Sequence, residues 1–228
     1  MSNARDRLVL VLDVGGLDVA LPLAERLKPW FAYAKVGIEL YAEDGHHAFD
    51  ALHDIGLGVF ADLKLYDIPT TVRRAARVHG RHGVDILNIH AAGGVEMLRA
   101  GVEGLRQGAA DAQRPDPIAL GVTVLTSDPD TSAFSERLEW ASSAGCDGVV
   151  CAAAEAAAAH ELDLRAMVPG IRLPGGDAHD QSRVATPADA IRAGADWLVV
   201  GRAVTAATDP EHAAARVAEL VDQALEAP

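Results

Sequence analysis

Asp62 and Lys64 carry opposite charges and stand one residue apart. In an extended segment side chains alternate, so both share one face and Leu63 takes the other. Away from water, a carboxylate and an ammonium limit each other's desolvation cost. Such a pair can be a structural ion pair at a rim, or an electrostatic and proton-transfer device, and spacing alone leaves both readings open. Further charges have similar settings: Asp13 ends the apolar run LVLVLD, Lys35 lies in YAKVG, and Arg202 follows WLVVG. Charges at the ends of apolar runs stand where parallel α/β folds place their chemistry.

The elements that must position these residues form a repeating pattern. Short β-branched and aliphatic runs predict strands at 8–13, 33–37, 58–64, 86–89, 118–125, 148–151, 167–168 and 197–200. Longer Ala- and Leu-rich stretches predict helices at 19–27, 42–54, 70–82, 95–107, 132–144, 153–162, 187–193 and 212–225. Eight strands, each followed by a helix, imply a parallel sheet with crossover helices. The first strand lacks polar alternation, as a strand covered on both faces does. Gly56, Gly83, Gly145 and Gly194 stand just before strands, as helix stops do. No dinucleotide-type glycine fingerprint follows the first strand, which favours a closed α/β (β/α)₈ barrel over an open doubly wound sheet. No linker or composition shift divides the chain, so residues 1–228 are expected to form one domain.

Composition narrows the functional classes. Half of the 228 residues are hydrophobic but only 4% are aromatic, so small aliphatic side chains must fill most of the core. A net charge of −13 disfavours a nucleic-acid partner, yet a few local cations can still hold one small anion. Cys146 and Cys151 do not resemble a secreted disulfide framework, and Cys151 has no base near it in sequence and reads as packing. The polar N-terminus does not read as a signal peptide, and no apolar run approaches the ~20 residues of a membrane span. A cytoplasmic protein is expected. His46, His47, His79 and His82 lack the spacing of a zinc site, so no metal is expected, and His90 is a candidate rim residue.

The segment Asp62-Leu63-Lys64-Leu65-Tyr66-Asp67-Ile68-Pro69-Thr70-Thr71 closely resembles the DxKxxDIxxT signature of the orotidine 5′-monophosphate (OMP) decarboxylases. LDV at Asp13, KVG at Lys35, GVTVLTS ending at Ser127, PGIR at Arg172 and DQSRVATPADAIRAGADWLVVGR ending at Arg202 agree in order over nearly the whole chain. The DxKxxD core is shared with the magnesium-dependent 3-keto-gulonate 6-phosphate decarboxylases and hexulose-phosphate synthases, which form the alternative. Those families typically offer a Glu on the second strand, where this chain has Lys35, and a lysine puts positive charge where the metal is expected.

The resemblance implies conversion of OMP to UMP and carbon dioxide, the last step of de novo UMP synthesis, with no cofactor. It makes Lys64 the cation beside the reacting carbon and its proton donor, and puts Asp62 near the departing carboxylate. Lys35 and Asp67 would complete an alternating Lys-Asp-Lys-Asp array. Asp67, Ile68 and Thr71 would reach into a partner subunit's site, which requires a homodimer. Asp13 and Lys35 match contacts to the ribose hydroxyls, and Thr126 matches a contact to the pyrimidine edge, with neighbouring Ser127 as the competing assignment. Barrels often hold a phosphate with the loops after strands seven and eight. Here those loops supply Pro169, Gly170 and Arg172, then Gln181, and finally Gly201 and Arg202. The stretch 173–180 resembles a lid over the phosphate.

Overall fold

Among the described residues, eight parallel strands pair in sequence order and the first pairs with the last, closing the sheet into a barrel. The computed structural model describes residues 4–174 and 183–227. Its strands are β1 (Leu8–Val11), β2 (Tyr33–Val36), β3 (Gly58–Leu65), β4 (Ile86–His90), β5 (Ile118–Val122), β6 (Gly148–Val150), β7 (Arg165–Val168) and β8 (Trp197–Val200). The helices are α1 (Leu17–Leu27), α2 (Ile38–Asp44), α3 (His47–Asp54), α4 (Pro69–Arg81), α5 (Gly94–Asp111), α6 (Phe134–Ala144), α7 (Ala156–His160), α8 (Pro187–Arg192), α9 (Arg202–Thr205) and α10 (Pro210–Glu226). The expected (β/α)₈ barrel is the observed architecture.

The unbroken apolar character of β1 follows from its two buried faces. Leu8 and Leu10 pack outward in the layer between sheet and helices, while Val9 points into a separate inner cluster. That inner cluster joins Val9 to Phe60, Ile86, Leu120, Met167, Trp197 and Val199, and it fills the barrel as a packed plug. Small residues let the outer helices approach closely. A Cβ added at Gly104 or Gly108 of α5 would lie 2.2 or 2.0 Å from the Arg73 or Arg77 carbonyl of α4.

Gly145 ends α6 at φ 80°, and Gly56, Gly83 and Gly194 adopt the same left-handed region, so the helix stops read from sequence hold. The predicted helix over 42–54 is instead two helices, because Gly45 turns the chain at φ 58°. The run at 118–125 is strand only as far as Val122, opposite which both neighbours end, β4 at His90 and β6 at Val150. The stretch 153–162 contains a 3₁₀ turn before the short α7, β7 begins two residues earlier than expected, and α9 was not anticipated. The last helix, α10, buries Ala214, Val217 and Val221 against the barrel exterior, as its pattern predicts.

The N-terminal ends of the strands form a lower rim with a repeated aspartate. Asp85, Asp147 and Asp196 precede β4, β6 and β8 and accept the backbone N–H of Val59, Ala119 and Ala166 at 2.7, 2.7 and 2.8 Å. Each also meets a basic side chain from the helix layer: His53, Arg106 and His160 respectively. These contacts tie β3, β5 and β7 each to the start of the next strand.

Candidate active site

The opposite, C-terminal mouth holds a cavity of about 450 Å³ above the apolar plug. Val11, Phe60 and Val199 form apolar lining, and Asp13, Lys35, Asp62, Lys64, Thr126, Arg172 and Arg202 bring polar groups to it. Seven elements or their following loops therefore converge on one space, as a barrel mouth permits.

The charges form a continuous chain. Lys35 donates to Asp13 at 2.8 Å and meets the other side of the array through Asp62 at 3.2 Å. Asp62 also takes the Lys64 ammonium at 2.5 Å. Lys35 is buried, with a side-chain exposure of 8%, and Asp62 is nearly so at 14%. Burial alone would discharge Lys35, but the carboxylates of Asp62 and Asp13 outweigh it and hold the ammonium above the usual lysine value. Burial likewise opposes ionisation of Asp62, and Lys35 and Lys64 outweigh it, so its carboxyl lies below the usual aspartate value. Lys35 and Asp62, the two least exposed members, therefore depend on their neighbours for their charge.

Local backbone features build this array. β3 pairs with β4 through Phe60↔Ile86 and Ala61↔Leu87, then resumes at Leu65↔Ile89. Three residues of β3 thus stand opposite Asn88 alone, and Lys64 takes the left-handed φ of 48°. Simple alternation correctly puts Asp62 and Lys64 at one cavity, but a bulge rather than a regular strand aims them. At the end of β2, a Cβ on Gly37 would lie 2.5 Å from the Asp13 carboxylate and 3.0 Å from the Lys35 ammonium. Gly37 is therefore the space the Asp13–Lys35 pair occupies.

Most residues singled out from sequence meet here. Pro169 and Arg172 line the cavity after β7, and Gly201 and Arg202 line it after β8. Arg172 is buried and donates to its neighbour's carbonyl, Ile171 O, at 2.9 Å. Thr126 lines the cavity, whereas Ser127 is exposed outside its lining, which favours Thr126 of the two. Asp67, Ile68 and Thr71 are not brought to this cavity: all are exposed, and Asp67 accepts the N–H of Ile68 at 2.6 Å. Within one chain the array accordingly runs Asp13–Lys35–Asp62–Lys64, without Asp67. Gln181 and most of the stretch 173–180 lie outside the described residues. His90 sits half-buried beside Tyr66, its ring accepting the Ala92 N–H at 3.2 Å. Burial, with Arg137 and Lys64 nearby, lowers its tendency to protonate.

Sequence reasoning missed Asn88, which is fully buried and donates to Asp62 at 2.6 Å. A lone amide within the apolar run ILNIH is the signal that could have found it. Cys146 and Cys151 are free, and burial pushes both thiols up to about 12, so both are packing groups rather than nucleophiles. No cluster of three or more His, Cys, Asp or Glu side chains suited to a metal ion occurs among the described residues.

A closed parallel barrel with a partly buried lysine–aspartate array at its C-terminal mouth defines the class: a (β/α)₈-barrel enzyme that carries a DxKxxD segment on its third strand and the loop after it. The chain belongs to the orotidine 5′-phosphate decarboxylase / HUMPS family, whose model matches residues 6–217. It is 42% identical to the orotidine 5′-phosphate decarboxylase of Moorella thermoacetica, over 96% of this chain and 94% of that one. Identity to the enzyme of that name from Nitratidesulfovibrio vulgaris is 44%, covering 91% of this chain and 94% of the relative. The crystal structure of orotidine 5′-phosphate decarboxylase from Lactobacillus acidophilus superposes with a TM-score of 0.79 at 31% identity, covering 95% of this chain and 99% of that chain.

Proposed function

We propose that this chain decarboxylates orotidine 5′-monophosphate to uridine 5′-monophosphate and carbon dioxide, as a single catalytic domain working in the cytoplasm. The observation that carries this reading is the continuous Asp13–Lys35–Asp62–Lys64 chain, with Lys35 buried at its centre, opening onto a cavity that Arg202 also lines.

The chemistry calls for such an array. Loss of the carboxylate as carbon dioxide leaves an electron pair on a pyrimidine carbon that no adjacent carbonyl delocalises. A preorganised cation must stabilise that charge as it forms. Lys64 is that cation, and its ammonium gives the proton that makes the new C–H bond. Asp62 stands beside the leaving carboxylate and keeps Lys64 aimed and charged. Asp13 and Lys35 receive the ribose hydroxyls, and Thr126 meets the pyrimidine edge. Pro169, Arg172, Gln181, Gly201 and Arg202 serve the phosphate, Arg202 through forked, charge-assisted hydrogen bonds.

Against the magnesium-dependent sugar-phosphate alternative stands the buried Lys35 ammonium on β2. Both oxygens of Asp62 are also already engaged, one by Lys35 and the other by Lys64 and Asn88. A divalent ion at Asp62 would have to displace these donors. The reading therefore assigns the cationic role to lysine.

The working unit is a homodimer in which Asp67, Ile68 and Thr71 complete the neighbouring site. Support comes from their position beside the mouth but outside the cavity, and from the exposed apolar side chains Tyr66 and Ile68, 63% and 66% accessible. The partners are the nucleotide and a second copy, with neither nucleic acid nor membrane involved. No helix among the described residues is long and apolar enough to cross a membrane.

The deciding experiment follows the pyrimidine absorbance on adding OMP, with and without EDTA. Rapid turnover indifferent to EDTA is expected. A wild-type protein inactive on OMP, or active only with magnesium, overturns the proposal.

A further inference from the structure

The bulge in β3 leaves a problem that one side chain answers. Where β3 runs through Asp62, Leu63 and Lys64 against the single residue Asn88, the regular ladder to β4 is interrupted. The Lys64 N–H there would lack a strand partner, and its φ of 48° is one that a lysine rarely adopts. Asn88 Oδ1 accepts this N–H at 2.7 Å. The other end of the same amide, Nδ2, donates to Asp62 Oδ1 at 2.6 Å, the oxygen that also takes the Lys64 ammonium at 2.5 Å. Asn88 is wholly buried, while its own backbone stays in the β4–β5 register opposite Leu120. Its carboxamide orientation follows from its partners, because an N–H requires the oxygen and a carboxylate requires the nitrogen.

We infer that Asn88 is a positioning residue for the Lys64–Asp62 pair. One planar group fixes the backbone from which Lys64 projects and the carboxylate that Lys64 approaches, and so sets the angle between ammonium and reacting carbon. This rests on the decarboxylase reading above. No shorter or apolar side chain can do it: alanine reaches neither partner, and leucine fills the space but leaves both unbonded. An ionised aspartate would face Asp62 with like charge. A protonated aspartate, however, presents one acceptor and one O–H donor, the same pattern as the amide.

That equivalence supplies the test. The full chain is assayed on OMP as wild type, Asn88→Ala and Asn88→Asp, with kcat and KM measured across pH and folding followed by thermal unfolding. Misplacing a reacting group by about 1 Å can cost on the order of 10²-fold, so Asn88→Ala should lose ~10²-fold in kcat with KM within about threefold. Asn88→Asp should regain much of that loss at low pH, relative to wild type at the same pH, and lose it as the new carboxyl ionises. Its pH profile then carries a descending limb absent from wild type. If Asn88→Ala does not fold, the acid limb of Asn88→Asp decides alone. A lowered melting temperature with unchanged kcat, or an Asn88→Asp profile parallel to wild type, overturns the inference and leaves the decarboxylase reading intact. Wild-type protein inactive on OMP overturns that reading, and this inference with it.

Discussion

At the lower rim of the barrel, Asp85, Asp147 and Asp196 each accept one strand N–H and meet one basic side chain. At the upper mouth, Asp62 is held by three side chains, Lys35, Lys64 and Asn88, and is less exposed, at 14% against 25–39%. The same residue type serves both ends, but the lower aspartates act locally and partly in water, so each can be lost without discharging another. Asp62 belongs to an array in which removing one charge leaves its neighbours uncompensated. Lower-rim carboxylates close the ladder, and the upper one aims a cation.

The largest expected effect is at the mouth. On the proposed mechanism Lys64→Ala removes both the proton donor and the cation, and kcat should fall by on the order of 10⁴-fold or more. Steady-state assays and thermal unfolding of the same sample check this. If the loss comes only with unfolding, the two rims do not differ in kind.

A buried group in neither rim sharpens the contrast. His79 of α4 is packed among Tyr41, Phe49 and His46, and His46 stacks on His82 with ring centres 3.8 Å apart. Burial, reinforced by His46 and His82, pushes its value from 6.5 down to about 4. The neutral form is thus favoured in the folded protein, so its contribution is complete above pH 6.5 and is lost as pH falls toward 4. A loss of about 2–3 kcal/mol is expected between pH 7 and 4.5. Urea midpoints at both values should show it, and His79→Leu should flatten that part of the dependence. An unchanged slope in the variant would assign the acid sensitivity to other groups.

Next comes Arg202→Ala. Losing a charge-assisted contact of about 1.5–3 kcal/mol should lower kcat/KM roughly 10- to 100-fold on OMP. The loss should be much smaller on the corresponding nucleoside without phosphate; equal losses on both would remove Arg202 from the phosphate. The smallest effect is expected below. Asp147→Ala should cost about 1–2 kcal/mol of stability by orphaning the Ala119 N–H, with kcat within about twofold of wild type. A large drop in kcat there would show that the lower rim also governs the mouth.

The legible parts of the molecule were those governed by period and punctuation. Alternating apolar runs and glycine stops mark the barrel, and charges at run ends mark Asp13, Lys35, Asp62, Lys64 and Arg202. What escaped depends on departures from regular geometry. The bulge opposite Asn88 has no sequence signature, because a two-residue period places Asp62 and Lys64 together with or without it. Gly45 splits a helix that its flanking residues would continue. Gly37 reads as a strand end, and its role as a vacancy for a neighbouring ion pair exists only once β1 and β2 lie side by side. Asp67, Ile68 and Thr71 are legible by resemblance, but one chain alone does not bring them to its cavity.

Closure between β1 and β8 has a consequence for synthesis. Leu8, Val9 and Leu10 pair with Leu198, Val199 and Val200, so the first strand made must wait for the last before its second edge is covered. Asp13 and Arg202 border the same cavity from those two ends of the chain. On the ribosome, a nascent chain carrying every residue through β7 therefore still has an open sheet edge and an incomplete mouth. The mouth of each barrel is thus assembled in one late step, and until then the open strand edges are free to pair wrongly.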